Sequence, residues 1–174
     1  TPQVSLDGRQ AHYADATGAL SFETVSQPAF VRAHFRPLPE ARSLGYDTRA
    51  HWFRAVLDPA AGAPERVVLT VGTPELEAVD VWVQQPDGGF REYAMGYHRP
   101  YGNRPLRTRL FALPTDVFPG MQLYIRVRTT NALNVHTTLW QVDAYTAYET
   151  RSNFYRGGYF GILLIAVTFY LILG

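Results

Sequence analysis

The last 18 residues of the chain, residues 157–174, carry no charged side chain and consist mainly of aliphatic and aromatic residues. A helix needs about 20 apolar residues to cross the hydrocarbon core of a bilayer. Helices of globular proteins rarely stay apolar on every face for this length, because one side normally meets water. The run therefore predicts the start of a transmembrane helix, cut off near its far end, after a juxtamembrane stalk at residues 141–156. A helix buried in a protein core is the alternative.

The composition of the chain limits the function classes that remain. Hydrophobic residues make up 47% and charged residues 18%, which is ordinary for a globular protein. The formal net charge of +1 offers no basic surface of the kind that nucleic-acid-binding proteins use, so no nucleic-acid partner is expected. The sequence contains no cysteine, which excludes a disulfide framework and cysteine ligands for a metal. These numbers indicate a folded domain attached to a membrane.

Short runs of alternating apolar and polar residues begin near residue 49, and each is bounded by proline, glycine, asparagine or aspartate. The runs are residues 49–57, 65–72, 77–84, 90–95, 107–113, 122–130 and 135–140. Alternation with turn residues in every gap is typical of strands, and "QQPDGGF" is the clearest hairpin. Residues 1–140 are therefore predicted to form one antiparallel β-sandwich. Before residue 49, we expect an edge strand in residues 8–15, another strand in 29–35 and a connecting loop in 36–47.

Signals for enzyme chemistry are sparse. The histidines lack the close spacing of zinc proteases, and the sequence has neither a Gly-x-Ser-x-Gly elbow nor a phosphate-binding glycine loop. No catalytic residue, metal site or cofactor is therefore predicted. The remaining enzymatic hypothesis is a glycosidase that uses Asp80 and Glu92 as its carboxylate pair.

Strand phase indicates a first candidate binding site. In residues 77–84 the three valines share one face, which leaves polar and aromatic residues on the other face. Combined with the equivalent face of neighbouring strands, this gives the set Arg54, Asp80, Trp82, Tyr124 and Arg126. Aromatic rings offer a platform for a sugar ring, and arginine and aspartate supply directional hydrogen bonds. The alternative is an ordinary polar face, covered by a loop or by the N-terminal arm.

The segment "GYHRPYGNRP", residues 96–105, is a second candidate site. It concentrates hydrogen-bond donors and aromatic surface in a loop, where binding residues are often found, and its candidates are Tyr97, His98, Arg99 and Tyr101. Two Arg-Pro steps make it stiff and extended. A purely structural loop is the alternative, and the choice between this loop and the strand face stays open.

Several segments read in order resemble a known family. They are "HWFRAVL", "VDVWV" with the "PDGGF" hairpin, "RTRLFALP", "QLYIRVRTT" and "YFGILLIAVTFYLILG". Together they resemble the type-2 extracellular domain of bacterial seven-transmembrane receptors with diverse intracellular signalling modules. The resemblance covers residues 45–174. Trp82 stands where that family often has tyrosine, and His51 precedes Trp-Phe-Arg where tyrosine is common.

The resemblance implies a jelly-roll sandwich similar to carbohydrate-binding modules, held in the periplasm at the bacterial inner membrane. Arg151 and Arg156 alone would favour the cytoplasm for this side of the span. Such receptors couple the domain through seven helices to a histidine kinase, a diguanylate cyclase or a related output. We therefore expect a sensor that binds a carbohydrate or carboxylate and signals through residues 157–174. A module that controls assembly, with a second copy or another receptor as partner and no small ligand, is the alternative.

Overall fold

The computed structural model describes residues 2–39, 43–58 and 65–173. The chain divides into two compact units, Thr1–Gln141 and Val142–Gly174. The strands described in the first unit are β1 (Gln3–Ser5), β2 (Gln10–Asp15), β3 (Arg36–Leu38), β4 (Ala50–Leu57), β5 (Glu65–Val71), β6 (Ala78–Gln84), β7 (Phe90–Met95), β8 (Phe111–Val117), β9 (Met121–Arg128) and β10 (Thr137–Gln141). The helices of that unit are α1 (Phe22–Val25), α2 (Pro28–His34) and a 3₁₀ turn at Tyr101–Asn103. The second unit contains α3 (Val142–Leu173).

Two antiparallel sheets form a sandwich in the first unit. One sheet has the strand order β1-β10-β5-β8, and the other has the order β3-β2-β4-β9-β6-β7. The chain crosses repeatedly from one sheet to the other between β4 and β10, which is the connectivity of a jelly roll. The predicted all-β, antiparallel jelly-roll sandwich is therefore confirmed.

The main core lies between the two sheets and is built from alternate residues of each strand. Val79, Val81 and Val83 of β6 are fully buried in this core. β9 contributes Leu123 and Ile125 in the same way. Because successive side chains of a strand point to opposite faces, the residues between these lie on the outer face of the six-stranded sheet. That outer face is where the sequence places the first candidate site.

The β6–β7 hairpin forms where the sequence predicts it. The N–H of Gln85 donates to the carbonyl of Gly89 at 2.8 Å, and the N–H of Gly88 donates to the carbonyl of Gln85 at 2.9 Å. Gly88 has a φ of +87°, a conformation that glycine adopts without steric cost. Asp87 accepts a further hydrogen bond from the N–H of Gly89 at 2.9 Å.

β8 lies further along the chain than the prediction of residues 107–113. The strand spans Phe111–Val117 and includes Pro114, which lies just after the predicted run. Proline cannot donate a hydrogen bond to a neighbouring strand. β8 is the last strand in the described order of its sheet, and proline is tolerated in such an edge strand because one side of the strand needs no donor.

The N-terminal region differs most from the prediction. β2 lies between β3 and β4, so residues 8–15 do not provide an edge strand. The predicted loop at residues 36–47 begins with the strand β3, and its residues 40–42 lie outside the described residues. Residues 29–35 lie mostly in the helix α2, so the predicted strand there is wrong. Pro28 occupies the first helical turn, where its fixed φ suits a helix and no N–H is needed.

The helix α3 is 32 residues long and contains an 18-residue window with a mean hydropathy of 1.7. By length and composition it can cross a membrane. It begins at Val142 and ends at Leu173. Residues 142–156 of the predicted stalk and residues 157–173 of the predicted span therefore belong to one continuous helix. Apolar side chains such as Ile162, Leu164 and Leu171 are at least 68% exposed, as expected of a helix whose faces are all apolar.

Candidate functional site

The outer face of the six-stranded sheet carries three large aromatic side chains on adjacent strands. They are Trp52 on β4, Tyr124 on β9 and Trp82 on β6, and the register places Trp82 opposite Tyr124. The rings of Trp52 and Trp82 stack with their centroids 5.2 Å apart. The exposed fractions of Trp52, Trp82 and Tyr124 are 0%, 6% and 1%. These residues form a second apolar cluster, separate from the main core.

Residues 16–35, here called the strap, cover this aromatic face. The ring of Phe22 in α1 lies parallel to that of Trp82, with centroids 5.0 Å apart and an interplanar angle of 5°. The same ring meets Tyr124 edge-on at 5.5 Å. In this structure the N-terminal arm therefore covers the face. A ligand would reach Trp82 only if Phe22 moved away.

Asp15, at the end of β2, anchors the start of the strap. Its carboxylate accepts hydrogen bonds from the N–H of Thr17 at 2.9 Å, the hydroxyl of Thr17 at 2.6 Å and the N–H of Leu20 at 3.0 Å. Burial raises the pKa of the Asp15 carboxyl, but the hydrogen bonds to its ionised form outweigh burial, so the pKa lies below its usual value. The charged carboxylate thus organises the turn into the strap.

Asp80 is the centre of an ion-pair cluster beside the aromatic face. Its side chain is 3% exposed and accepts hydrogen bonds from Nε and Nη2 of Arg126 at 3.0 Å and 2.8 Å. Its other oxygen pairs with the guanidinium of Arg99. The guanidinium carbon of Arg126 lies 5.4 Å from the ring centroid of Trp52 and 5.6 Å from that of Trp82. Both carboxylate oxygens of Asp80 bind arginine, which suits a structural anchor better than a catalytic acid.

Arg54 lies on β4 and Glu92 lies on β7. Arg54 is half-buried and donates from Nε to the hydroxyl of Tyr124 at 3.0 Å and from Nη2 to Gln122 at 3.1 Å. Glu92, the second carboxylate of the glycosidase hypothesis, is exposed on β7 opposite Trp82 in the register. The hydrogen bond from Arg54 therefore fixes the hydroxyl of Tyr124.

The loop at residues 96–105 is fastened to the chain that precedes β6. The N–H of Tyr97 donates to the carbonyl of Leu76 at 2.8 Å. Gly96 has a φ of +137°, and a Cβ at this position would overlap the carbonyl oxygen of Glu77. Glycine is required here for both reasons, because only glycine combines this backbone conformation with such close approach. The loop thereby leaves β7 in a defined direction.

An open cleft of about 510 Å³ lies beside this loop. Its lining residues are Pro74, Glu75, Tyr97, Tyr101, Arg104, Arg109 and Asn131. Tyr97 and Tyr101 are 70% and 51% exposed. Arg109 and Glu75 form an exposed ion pair with an N–O distance of 3.8 Å. The cleft therefore presents two aromatic rings together with both signs of charge and an amide.

Arg104 holds the wall of the cleft in place. Its guanidinium carbon lies 4.8 Å from the ring centroids of both Tyr101 and Phe111. Nη1 of Arg104 also donates to the carbonyls of Thr108 and Arg109 at 2.9 Å and 3.2 Å. Stacking and hydrogen bonding together fix the guanidinium, and with it the position of the Tyr101 ring.

In the structure, the predicted site residues form two groups, one on the strand face and one in the loop. Those of the strand face lie under or beside the strap and are Arg54, Asp80, Trp82, Tyr124 and Arg126. In the loop, Tyr97 and Tyr101 line the cleft, Arg99 ties the loop to Asp80, and His98 packs against Tyr97 with ring centroids 5.7 Å apart. The ion pair of Asp80 with Arg99 thus connects the two candidate sites.

Sequence reasoning missed three polar residues of the cleft that lie outside the loop at residues 96–105, namely Glu75, Arg109 and Asn131. They come from separate turns of the chain, and in the sequence each is an ordinary polar residue beside a strand. Only the folding of the strands brings these turns to one end of the sandwich. A proline or asparagine in a gap signals a turn, but it does not indicate which other turn lies beside it.

A jelly-roll domain that is continued in the sequence by a helix of membrane-spanning length fits the class of membrane-attached domains. The match to a family model is more specific. The chain belongs to the 7TMR-DISM extracellular 2 family, whose model matches residues 8–141. It is accordingly a sensor domain of a membrane receptor and lies outside the cytoplasm, so the weak orientation signal of Arg151 and Arg156 is overturned. A comparison with curated proteins gives no significant match.

Proposed function

We propose that this domain senses a carbohydrate or a small carboxylate in the periplasm of a bacterium and that the cleft beside residues 96–105 is its binding site. The proposal depends mainly on one observation: the rings of Tyr97 and Tyr101 are more than half exposed and line the same cleft as Arg109, Glu75 and Asn131. Exposed rings provide a platform for the apolar face of a sugar. The charged and amide groups supply directional hydrogen bonds to hydroxyls or to a carboxylate.

The strand-face residues have a positioning role in this proposal. Asp80 is buried in the sheet and pairs with Arg99, which belongs to the loop that carries both tyrosines. The strap covers Trp82 and Tyr124. These two rings therefore pack between the strap and the sheet, and they stabilise the sheet. Binding at the cleft would alter the loop, and the ion pair offers a route from the loop to β6 and β9.

The proposal is tested by glycan-array screening followed by calorimetric titration of the 174-residue chain in detergent micelles. Tyr97→Ala and Tyr101→Ala should each weaken binding about 3- to 10-fold, since an aromatic contact contributes about 0.5–1.5 kcal/mol beyond its buried area. Tyr46→Ala is the matched control, because Tyr46 is 84% exposed and does not line the cleft. Unchanged affinity in both cleft variants, or no bound sugar or carboxylate, would contradict the proposal.

The proposed signal leaves the domain through the membrane helix and reaches a histidine kinase or diguanylate cyclase at the inner membrane. Support for this route comes from the family assignment and from the order of elements, because β10 ends at Gln141 and α3 begins at Val142. The test is a reporter assay of the full-length receptor with a ligand found in the binding screen above. An output that this ligand leaves unchanged would contradict the route.

A module that controls receptor assembly is the second candidate. The observation that favours it is the exposure of Tyr46, Tyr97 and Tyr101, because exposed aromatic residues are enriched in protein interfaces. Sedimentation velocity in detergent distinguishes the two functions. A concentration-dependent dimer that Tyr97→Ala abolishes supports the assembly module, whereas a monomer at all concentrations supports the ligand sensor.

A further inference from the structure

A second cavity, of about 270 Å³, lies at the opposite end of β5 from the cleft. Glu65, which begins β5, lines this cavity, whereas Pro74, which follows the strand, lines the cleft. The cavity is lined by Val4, Leu6, Arg9, Val56, Leu57, Asp58, Glu65, Val67, Val117, Leu139, Trp140 and Gln141. None of the nine site residues predicted from the sequence belongs to this set.

The walls of this cavity are apolar where they meet the main core. Leu6, Leu57 and Val67 are members of the main core and are at most 5% exposed. Leu139 packs against the same core from β10 and lines the cavity beside them. The cavity is therefore a gap between the two sheets at one end of the sandwich, and it suits an aliphatic or aromatic group.

The charged groups lie among the exposed residues that line the cavity. Arg9, Asp58 and Glu65 are all exposed. One oxygen of Asp58 accepts a hydrogen bond from the N–H of Gly120 at 2.7 Å, which holds this carboxylate in position. Within the described residues, Arg9 and Glu65 form no ion pair with each other. A cationic group and carboxylates thus accompany one apolar space.

We propose that this cavity binds an apolar α-amino acid. The carboxylates of Glu65 and Asp58 match an ammonium group, the guanidinium of Arg9 matches a carboxylate, and the apolar walls match the side chain. The volume agrees with this class, because a cavity of about 150 Å³ holds benzene and drug-sized ligands need about 300 Å³ or more. The site is independent of the cleft in its residues and its ligand.

The position of this cavity gives the bound amino acid a direct effect on the chain that leads to the membrane helix. Trp140 and Gln141 are the last two residues of β10, and Val142 begins α3. The side chain of Trp140 is fixed by a hydrogen bond from Nε1 to the hydroxyl of Thr70 at 3.0 Å. An occupant of the cavity would contact the final residues of β10 and restrain them.

The test is calorimetric titration of L-leucine into the 174-residue chain in detergent micelles. Saturable binding is expected, and Arg9→Gln and Glu65→Gln should each weaken it about tenfold, since each removes a charge-assisted hydrogen bond. Arg66→Gln is the matched control, because Arg66 is exposed beside Glu65 and does not line the cavity. All three substitutions are at exposed positions, so the variants should fold. Absence of saturable binding, or binding that neither variant weakens, would overturn the proposal.

Two analogues of leucine test the amino-acid assignment. 4-Methylpentanoate lacks the ammonium group and 3-methylbutylamine lacks the carboxylate, so both should bind more weakly than leucine. Equal binding of all three would refute the assignment. Neither result depends on Tyr97 or Tyr101, so failure here is distinguishable from failure of the proposed sugar site.

Discussion

A pair of histidines joins β2 to β4 at the residue scale. Nε2 of His12 and Nδ1 of His51 are 2.9 Å apart, so one nitrogen donates and the other accepts. Burial, followed by the charge of His51, lowers the pKa of His12 to about 4. Burial also lowers the pKa of His51, against the opposing effect of Asp47. The folded domain therefore favours both imidazoles in their neutral form.

Acidification should destabilise the domain through this pair. The unfolded chain binds protons on histidine below about pH 6.5, whereas folded His12 does so only near pH 4, so stability is full above pH 6.5 and falls as the pH drops towards 4. Allowing for partial exposure of His12, the loss should be about 1–2 kcal/mol. Urea unfolding at pH 7.5 and pH 4.5 measures it.

The control for this pH effect is the exposed His136. His12→Gln should flatten the pH dependence of the unfolding free energy more than His136→Gln does, because His12 is part-buried against His51 whereas 57% of the His136 side chain is exposed. An equal pH dependence in wild type and His12→Gln would show that other groups cause the acid sensitivity.

Gly96 controls the direction of the loop that carries the proposed binding tyrosines. Gly96→Ala would place a Cβ against the carbonyl oxygen of Glu77 and 2.7 Å from the Cα of Ala78, at a φ of +137°. Unfolding in urea should show a loss of about 2–3 kcal/mol, and sugar binding should weaken with it. Gly102→Ala in the same loop is the control, since a Cβ at Gly102 would meet no heavy atom within 4 Å beyond its chain neighbours. Equal stability of the two variants would refute the requirement for glycine.

The strap is the element that decides the environment of the aromatic face. Phe22→Ala would remove the ring that stacks on Trp82, at a cost of about 2 kcal/mol for a half-buried phenylalanine. Water would then reach Trp82, so its fluorescence should shift to longer wavelength. Phe30→Ala is the comparison, because Phe30 lies in the same strap but contacts Tyr13, with ring centroids 5.3 Å apart. An unshifted spectrum in Phe22→Ala would mean that Phe22 does not shield Trp82.

At the scale of elements, strands with strict alternation were predictable and short N-terminal elements were not. β6 and β9 each bury one face in the main core, so their pattern of period 2 is visible in the sequence. α2 has seven residues and none of them is fully buried, so the helix is too short to show a distinct period of 3.6. β8 was displaced in the prediction because Pro114 reads as a turn unless the strand is known to be at an edge.

At the scale of the whole molecule, we predict that the two glycines inside α3 act as a hinge between the domain and the membrane span. Gly157 and Gly158 lie within the continuous helix, and each glycine lowers helix stability by about 1 kcal/mol relative to alanine. Replacing both by alanine in the intact receptor should therefore change signal output while ligand affinity stays the same. Close packing with another membrane helix is the alternative role of such small residues.

A reporter assay with and without ligand measures the effect of the double alanine variant. Ala166→Leu is the control for general disturbance of the span, because Ala166 is also exposed in α3 but is not a glycine. Output and ligand response at wild-type levels in the double alanine variant would end the hinge hypothesis.

Local patterns in the sequence determined the fold class, the membrane helix and the faces of the long strands. Alternation, turn residues and apolar length each depend on neighbours a few positions away, so one sequence is enough to detect them. The tertiary structure alone decided that the strap covers Trp82, that Arg99 meets Asp80 and that turns around Glu75, Tyr97 and Asn131 share a cleft. These contacts join segments far apart in the chain, and their partners are selected by the packing of the two sheets rather than by local preference.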